Sequence, residues 1–281
     1  MPIRIITDSA SDIRPDFRED VTVLPLHIRF GEEEYLDGVN LEHREFYEKL
    51  IESDVLPATS QIAPYNFEQE YKKAKAAGEQ VVVITMSGKL SGTYQSACIA
   101  AEDYKDMVRV VDSENVTLGQ YALIMYALRL KDGGMDAKTL ADTIEWEKRH
   151  IRLVALLDTL EYLKKGGRIS RTVALVGGML SIKPVIAIEG GEVVMLGKAR
   201  GSKQGNNLLV EQIGKAGGID FTKPYTLGYT GLDDTLLQKY IKDSVKLWEG
   251  RAERLEIISV GGAIGTHAGP GAIAVAFFSE N

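Results

Sequence analysis

The chain has 281 residues, 44% hydrophobic and 26% charged, and a formal net charge of −7. The length fits one large domain or two ordinary ones, and the acidic balance argues against a nucleic-acid surface and against standing attachment to an anionic membrane. Cys98 is the only cysteine, which excludes an internal disulfide and a cysteine zinc cluster and fits a reducing cytoplasm. The opening residues contain no long apolar leader core, and Gly, Asp or Lys interrupts every apolar stretch before it reaches the length of a membrane span.

In chain order, the pattern predicts strands at 3–7 and 21–30, turn residues at Gly31 and Asp37-Gly38, and helical spacing over 41–51. Pro64 opens a helix that Gly78 closes. A β-branched strand at 81–85 precedes a helix over 92–103, a strand at 108–111, and helices over 116–131 and 136–149. This alternation predicts a mostly parallel sheet flanked by helices. After a strand at 153–157, Asp158 and Glu161 have the spacing of a capping box. The character changes at Gly166-Gly167, so the expected division is an N-terminal α/β domain over 1–165 and a smaller C-terminal α/β domain over 166–281. In the second, an apolar helix over 172–182 is interrupted by Gly177-Gly178, and Gly190-Gly191 joins strands at 185–188 and 192–198 as a hairpin. Helices over 204–216 and 233–248 alternate with strands at 225–229 and 254–259, and an apolar strand over 271–278 follows.

Four polar clusters stand where α/β proteins place ligands, beyond the C-terminal ends of strands. Thr7-Asp8-Ser9-Ala10-Ser11-Asp12 reads either as such a site or as a turn with a helix cap. Thr59-Ser60-Gln61 places hydroxyls beside a helix start, to bind an anion or to cap the loop locally. In Ser87-Gly88-Lys89-Leu90-Ser91-Gly92-Thr93, Ser91 is placed as N-cap, Gly92 permits close backbone approach and Thr93 adds a hydroxyl. That is a cradle for a carboxylate or phosphate, or an ordinary cap; it has neither Walker A spacing nor a nucleophile elbow. The run from Gly261 to Gly271 holds five glycines outside its alanines and prolines only at a conformational cost, which favours a close backbone approach or a structural turn capped by His267. Lys164, Lys165, Arg168 and Arg171, and again Lys198, Arg200 and Lys203, are basic residues suited to an anion or an acidic partner.

Taken together and in order, these motifs resemble the DegV family of fatty-acid-binding proteins: Ile5-Ile6-Thr7-Asp8-Ser9-Ala10-Ser11-Asp12, Pro57-Ala58-Thr59-Ser60-Gln61, Leu90-Ser91-Gly92-Thr93-Tyr94-Gln95-Ser96-Ala97, Val111-Asp112-Ser113, Gly166-Gly167-Arg168-Ile169-Ser170, Lys183-Pro184 and Gly265-Thr266-His267-Ala268-Gly269-Pro270-Gly271. The chain departs from the family at Ile62-Ala63, where Pro-Ser is usual, so the serine cap on the Pro64 helix is missing, at a cost of about 1 kcal/mol. The resemblance implies two α/β domains with a long-chain fatty acid such as palmitate, stearate or oleate between them, and no cofactor. It implies that the carboxylate meets Thr59 and Ser91, with Ser60, Thr93, Arg168 and His267 around it. The expected acyl lining is Val173, Val176, Leu180, Ile182, Ile186 and Ile273, with Leu175, Val185 and the strand that follows Ile273. It further implies a carrier: a separate ATP-dependent fatty acid kinase phosphorylates the bound acid, docking on Arg171, Arg200 and Lys203, and an acyltransferase uses the product, with transient membrane contact for ligand exchange. The rival from the residues alone is a serine hydrolase, with Ser91 as nucleophile, His267 as base and Asp8 or Asp112 as orienter.

Overall fold

In the computed structural model, residues 1–169 and 182–280 are described. The predicted helix over 172–182 therefore lies almost wholly outside the described residues. The first half contains β1 (Ile3–Asp8), β2 (Val21–Leu24), β3 (His27–Phe30), β4 (Glu33–Leu36), α1 (His43–Glu52), β5 (Ala58–Ser60), α2 (Pro64–Ala76), β6 (Gln80–Thr85), α3 (Thr93–Ala101), β7 (Val108–Asp112), α4 (Thr117–Asp132) and α5 (Ala137–Glu147). Strands β2, β1, β6 and β7 form a parallel sheet in that order. Apolar residues run almost without interruption through β1 and β6 because both faces are covered. Ile6, Val81 and Val83 pack with Phe67 of α2 and Ala97 of α3, while Ile5, Val82 and Ile84 pack with Leu123 of α4 and Leu140 of α5. The single strand predicted over 21–30 is two strands, because Pro25 supplies no amide hydrogen to continue the ladder. Beyond it, β3 joins an antiparallel sheet in the order β4, β3, β5, and pairs Ile28 with Thr59 and His27 with Ser60.

The second half contains β8 (Ile151–Leu156), α6 (Glu161–Lys165), β9 (Ile182–Glu189), β10 (Glu192–Arg200), α7 (Gly201–Lys215), β11 (Thr226–Tyr229), α8 (Thr235–Asp243), α9 (Val245–Trp248), β12 (Ile257–Ser259), α10 (Gly262–Ala268) and β13 (Ile273–Phe278). A mixed six-stranded sheet runs in the order β10, β9, β8, β13, β11, β12. Its central strand β8 precedes residue 165, so a division of the chain by sheets falls ahead of Ile151. The hairpin of β9 and β10 turns through Gly190 and Gly191, at φ 54° and 83°, as two left-handed residues in a tight turn require. One face of the sheet packs on α7 and α8 through Val185, Leu209, Leu237 and Phe277; the other faces the first lobe. No helix among the described residues is long and apolar enough to cross a membrane.

Three local expectations are corrected. Asp158 does not cap α6: its carboxylate pairs with Lys183, and Thr159 Oγ1 accepts from the Glu161 amide at 3.1 Å. The helix predicted over 233–248 breaks at Ser244, whose hydroxyl donates to the Tyr240 carbonyl (2.6 Å) and accepts from Trp248 Nε1 (3.0 Å). The glycine-rich run after β12 is not turn throughout but contains α10. A Cβ at Gly265 would lie 2.6 Å from Tyr47 Oη and 2.7 Å from Phe46 Cε1, so glycine is what lets α10 seat directly on α1. Replacing it, as Gly265→Val, should cost about 1–3 kcal/mol by overpacking. Urea denaturation measures this; a midpoint equal to that of the parent chain would show that α10 lifts away freely.

Candidate functional site

The two lobes enclose a cavity of about 110 Å³ within an empty cleft of about 940 Å³ that is partly open to solvent. Its apolar wall includes Leu153 and Ala155 of β8 with Leu157 just beyond it, Ile186 and Ile188 of β9, Val193 of β10 and Ala274 of β13; Met86, Val116, Ala263 and Ile264 face them. Side chains alternate along a strand, so β8 gives Leu153 and Ala155 to the cavity and Val154 and Leu156 to the opposite core.

The polar residues of the lining include Thr59, Ser60, Gln61, Ser91, Arg168 and His267. Thr59 Oγ1 and His267 Nε2 are hydrogen-bonded at 2.9 Å, joining β5 to α10. Ser91 Oγ lies 2.9 Å from Thr93 Oγ1 and accepts from the Thr93 amide at 3.3 Å, at the mouth of α3. The N-cap position itself is Gly92 rather than Ser91. Thr93 is fully buried and does not line the cavity; its Oγ1 also accepts from the Ile62 amide (3.4 Å), so it fixes Ser91 against the loop before α2. Ala63, at the N-cap of α2, makes no side-chain cap, as the sequence departure requires. The Arg168 guanidinium is turned to the backbone, donating to the carbonyls of Leu90 (3.1 Å) and Gly166 (2.8 Å).

His267 carries the clearest electrostatic signature. Burial, helped by the Arg168 cation, lowers its pKa from the usual 6.5 to about 4, so the imidazole is neutral at physiological pH. Its Nδ1 is buried without a hydrogen-bond partner among the described residues, and a Cβ at Gly166 would lie 2.2 Å from it. The hydrolase arrangement is therefore not assembled: Ser91 bonds Thr93, His267 bonds Thr59, and no carboxylate among the described residues orients the ring. Asp8 accepts from the amides of Met86 (2.7 Å) and Ala10 (3.2 Å), and burial raises it to about 6. Asp112 accepts from the amides of Gly88 and Glu114. Both are loop-holding residues. Among the described residues, no group of three or more His, Cys, Asp or Glu side chains is arranged to hold a metal.

Of the expected acyl lining, Ile186 faces the cavity; Ile273 borders it on β13, but its side chain packs in the core on the other face of the sheet. Ile182 does not line it; it pairs with Arg200 at the far end of β9. Val185, Val275 and Phe277 belong to the core on the other face of the sheet. Val173, Leu175, Val176, Leu180 and Arg171 lie outside the described residues. Arg200 and Lys203 are exposed where β10 meets α7. The lining residues of β8, with Met86 and Val116, were not singled out from sequence; the alternation of 153, 155 and 157 in an otherwise apolar strand was the available signal only for a strand known to divide two cores.

A family profile described as "Uncharacterised protein, DegV family" matches residues 2–280. A DegV domain-containing protein of Caldanaerobacter subterraneus is 35% identical over 283 residues, covering 99% of each chain. The structure resembles that of a fatty-acid-binding DegV family protein from Thermus thermophilus, with TM-score 0.88 and 30% identity over 99% of this chain and 100% of that one. It also resembles a fatty-acid-binding DegV family protein from Streptococcus agalactiae, with TM-score 0.87 and 28% identity over 100% of both. Matched along nearly its whole length in sequence and in fold, the chain belongs to the DegV family.

Proposed function

We propose that this protein binds one long-chain fatty acid in the interlobe cavity and presents its carboxylate to a separate ATP-dependent kinase, which converts it to an acyl phosphate. The observation that carries the reading is the cavity's polarity: an apolar interior with a cluster of hydroxyls and one neutral imidazole. Burying about fourteen methylenes at about 0.8 kcal/mol each contributes roughly 11 kcal/mol before the costs of binding. The acyl chain thus supplies affinity, and the polar cluster needs only to orient the head group. The related proteins of Thermus thermophilus and Streptococcus agalactiae, both described as binding fatty acid, support the same ligand class here.

In this reading Thr59 and Ser91 donate to the carboxylate, His267 Nε2 donates to Thr59 Oγ1 and so turns the Thr59 hydroxyl hydrogen towards it, while Thr93 holds Ser91 and Ser60 stands at the rim. Arg168, engaged by two carbonyls, contributes field rather than a bidentate clamp. A carboxylate held by neutral donors keeps more of its nucleophilicity than one in a tight ion pair, which suits in-line attack on a phosphoryl group. The chain carries no Walker A sequence, so the nucleotide belongs to the partner. Arg200 and Lys203, exposed on an acidic protein, are the described candidates for docking it. Use of the acyl phosphate by an acyltransferase, and membrane contact during ligand exchange, belong to the same proposal.

Solvent extraction of the denatured protein followed by mass spectrometry should release a long-chain acid in near-stoichiometric amount; no acid, from protein that also fails to bind added acid, sinks the reading. Ser91→Ala should lower the kinase-coupled rate of acyl phosphate formation by about tenfold, the effect of one lost hydrogen bond to a charged group. An unchanged rate would remove Ser91 from the head-group site.

Arg200→Glu should weaken kinase coupling while the protein retains its acid. Parallel loss of bound lipid would argue that Arg200 acts on the fold and not on docking.

The depressed His267 pKa also has a sign that can be checked. Below pH 6.5 the unfolded chain takes up a proton that the folded one refuses, so this group's contribution to stability falls as pH drops from about 6.5 to about 4, by roughly 3 kcal/mol in all. Raised carboxylates such as Asp8 act in the opposite direction. The difference in stability between the parent and His267→Gln should therefore shrink on acidification through that window. A difference independent of pH would mean that His267 titrates normally.

A further inference from the structure

The sheet wall of the cavity comes from five strands that are neighbours in the sheet, in the order β10, β9, β8, β13, β11. Each contributes only a short stretch; on β11 it is Gly228 and Tyr229, and Ala276 of β13, one residue pair further on, is no longer part of the wall. The cavity is therefore longer across the sheet, over five strands, than along it, where the widest stretch is 153–157. Four interstrand spacings of about 4.8 Å give roughly 19 Å, close to an extended chain of about sixteen carbons.

The strand register makes this direction open. Ala155 of β8 is paired with Ala274 of β13, and Ala274 with Gly228 of β11. Ala155 and Ala274 thus lie side by side as a trough at right angles to the strands, which ends at Gly228, where a Cβ would lie 2.8 Å from Leu118 Cδ2. The polar end adjoins the opposite side of the sheet: Ile169, next to Arg168, bridges Val193 of β10. A chain starting beside Arg168 meets Ala155 before Ala274.

Resting on the fatty-acid reading above, we infer that the acyl chain runs perpendicular to the strands, over Ala155 and then Ala274 towards Gly228, and that these two alanines set the chain length the protein accepts. A larger side chain at either position dams the trough, and the two dams stand one interstrand spacing apart, about four carbons.

The test uses the full-length protein, stripped of lipid, and a homologous series of saturated fatty acids from medium to very long chain. Ala274→Leu should bind medium-chain acids like the parent and lose about tenfold or more in affinity for long ones, the equivalent of about two displaced methylenes. Ala155→Leu should show the same break at a length shorter by about four carbons. Breaks at one length, in reversed order, or absent from variants that melt like the parent would overturn the inference. If either leucine variant does not fold, Ala155→Val and Ala274→Val are read by the same criterion. A parent chain that binds no acid of any length overturns the fatty-acid reading itself, which is a different result from binding with an unmoved length profile.

Discussion

Two buried carboxylates holding the amide end of one short helix are the constraint on which the cavity depends. Asp12 Oδ1 accepts from the Gly261 amide at 2.7 Å, and Asp37 Oδ1 from the Gly262 amide at 3.0 Å. Both acids come from the first half of the chain, whereas α10 belongs to the second. Burial pushes both carboxyl groups upward, Asp12 to about 7, while the amide donors and nearby His43 pull them down. The free amides of a helix start offset part of that desolvation, an effect of up to about 2 kcal/mol in buried geometry. Ser9 and Thr117 donate to the other carboxylate oxygens, so neither acid is left half satisfied. Asp12 and Thr117 both have positive φ (57° and 45°), unusual for side chains of their kind, and their mutual hydrogen bond keeps that strain in place.

With the N-terminus of α10 fixed, His267 in its last turn is delivered to Thr59, and the head-group cluster is closed by contacts that are local to each loop. Ser91 is set by Thr93, and Arg168 by the carbonyls of Leu90 and Gly166. Among the described residues, none of these side chains is held by a buried ion pair. The cluster therefore combines strong orientation with little fixed charge, apart from one guanidinium whose field and the surrounding burial keep the imidazole neutral.

The sequence made the parallel first sheet legible because its strands are continuous β-branched runs and its helices carry capping and stop residues, as at Pro64 and Gly78. It made the polar cluster legible through hydroxyls after strands and through family resemblance, though the loop read around Thr59 pairs as a strand. What it hid has one physical cause: local pattern does not encode which face of a strand meets which lobe. Val185 and Ile186 are equally apolar, yet the pleat sends one to α7 and the other to the cavity. The helix α10 was hidden because Gly262 and Gly265 lower intrinsic helicity; only their packing on Phe46 and Tyr47, set by tertiary contact, justifies them.

The division of labour between the lobes follows from their sheets. A parallel sheet collects loop ends and helix starts at one edge, so the first lobe offers Ser91 there, while Thr59 comes from the antiparallel sheet beside it. A mixed sheet with one open face offers a broad apolar surface, and its register decides where that surface is low. Neither lobe alone makes a site for an amphiphile: the first provides hydroxyls with little apolar area, the second the broad apolar wall with His267 and Arg168 but none of those hydroxyls. Because α10 belongs to the second lobe by sequence and is capped by acids of the first, the two contributions cannot drift apart without exposing Asp12 and Asp37 or leaving the amides of Gly261 and Gly262 unpaired, each at about 1–3 kcal/mol. The same capping that makes the helix possible thus sets the distance between the polar cluster and the apolar floor.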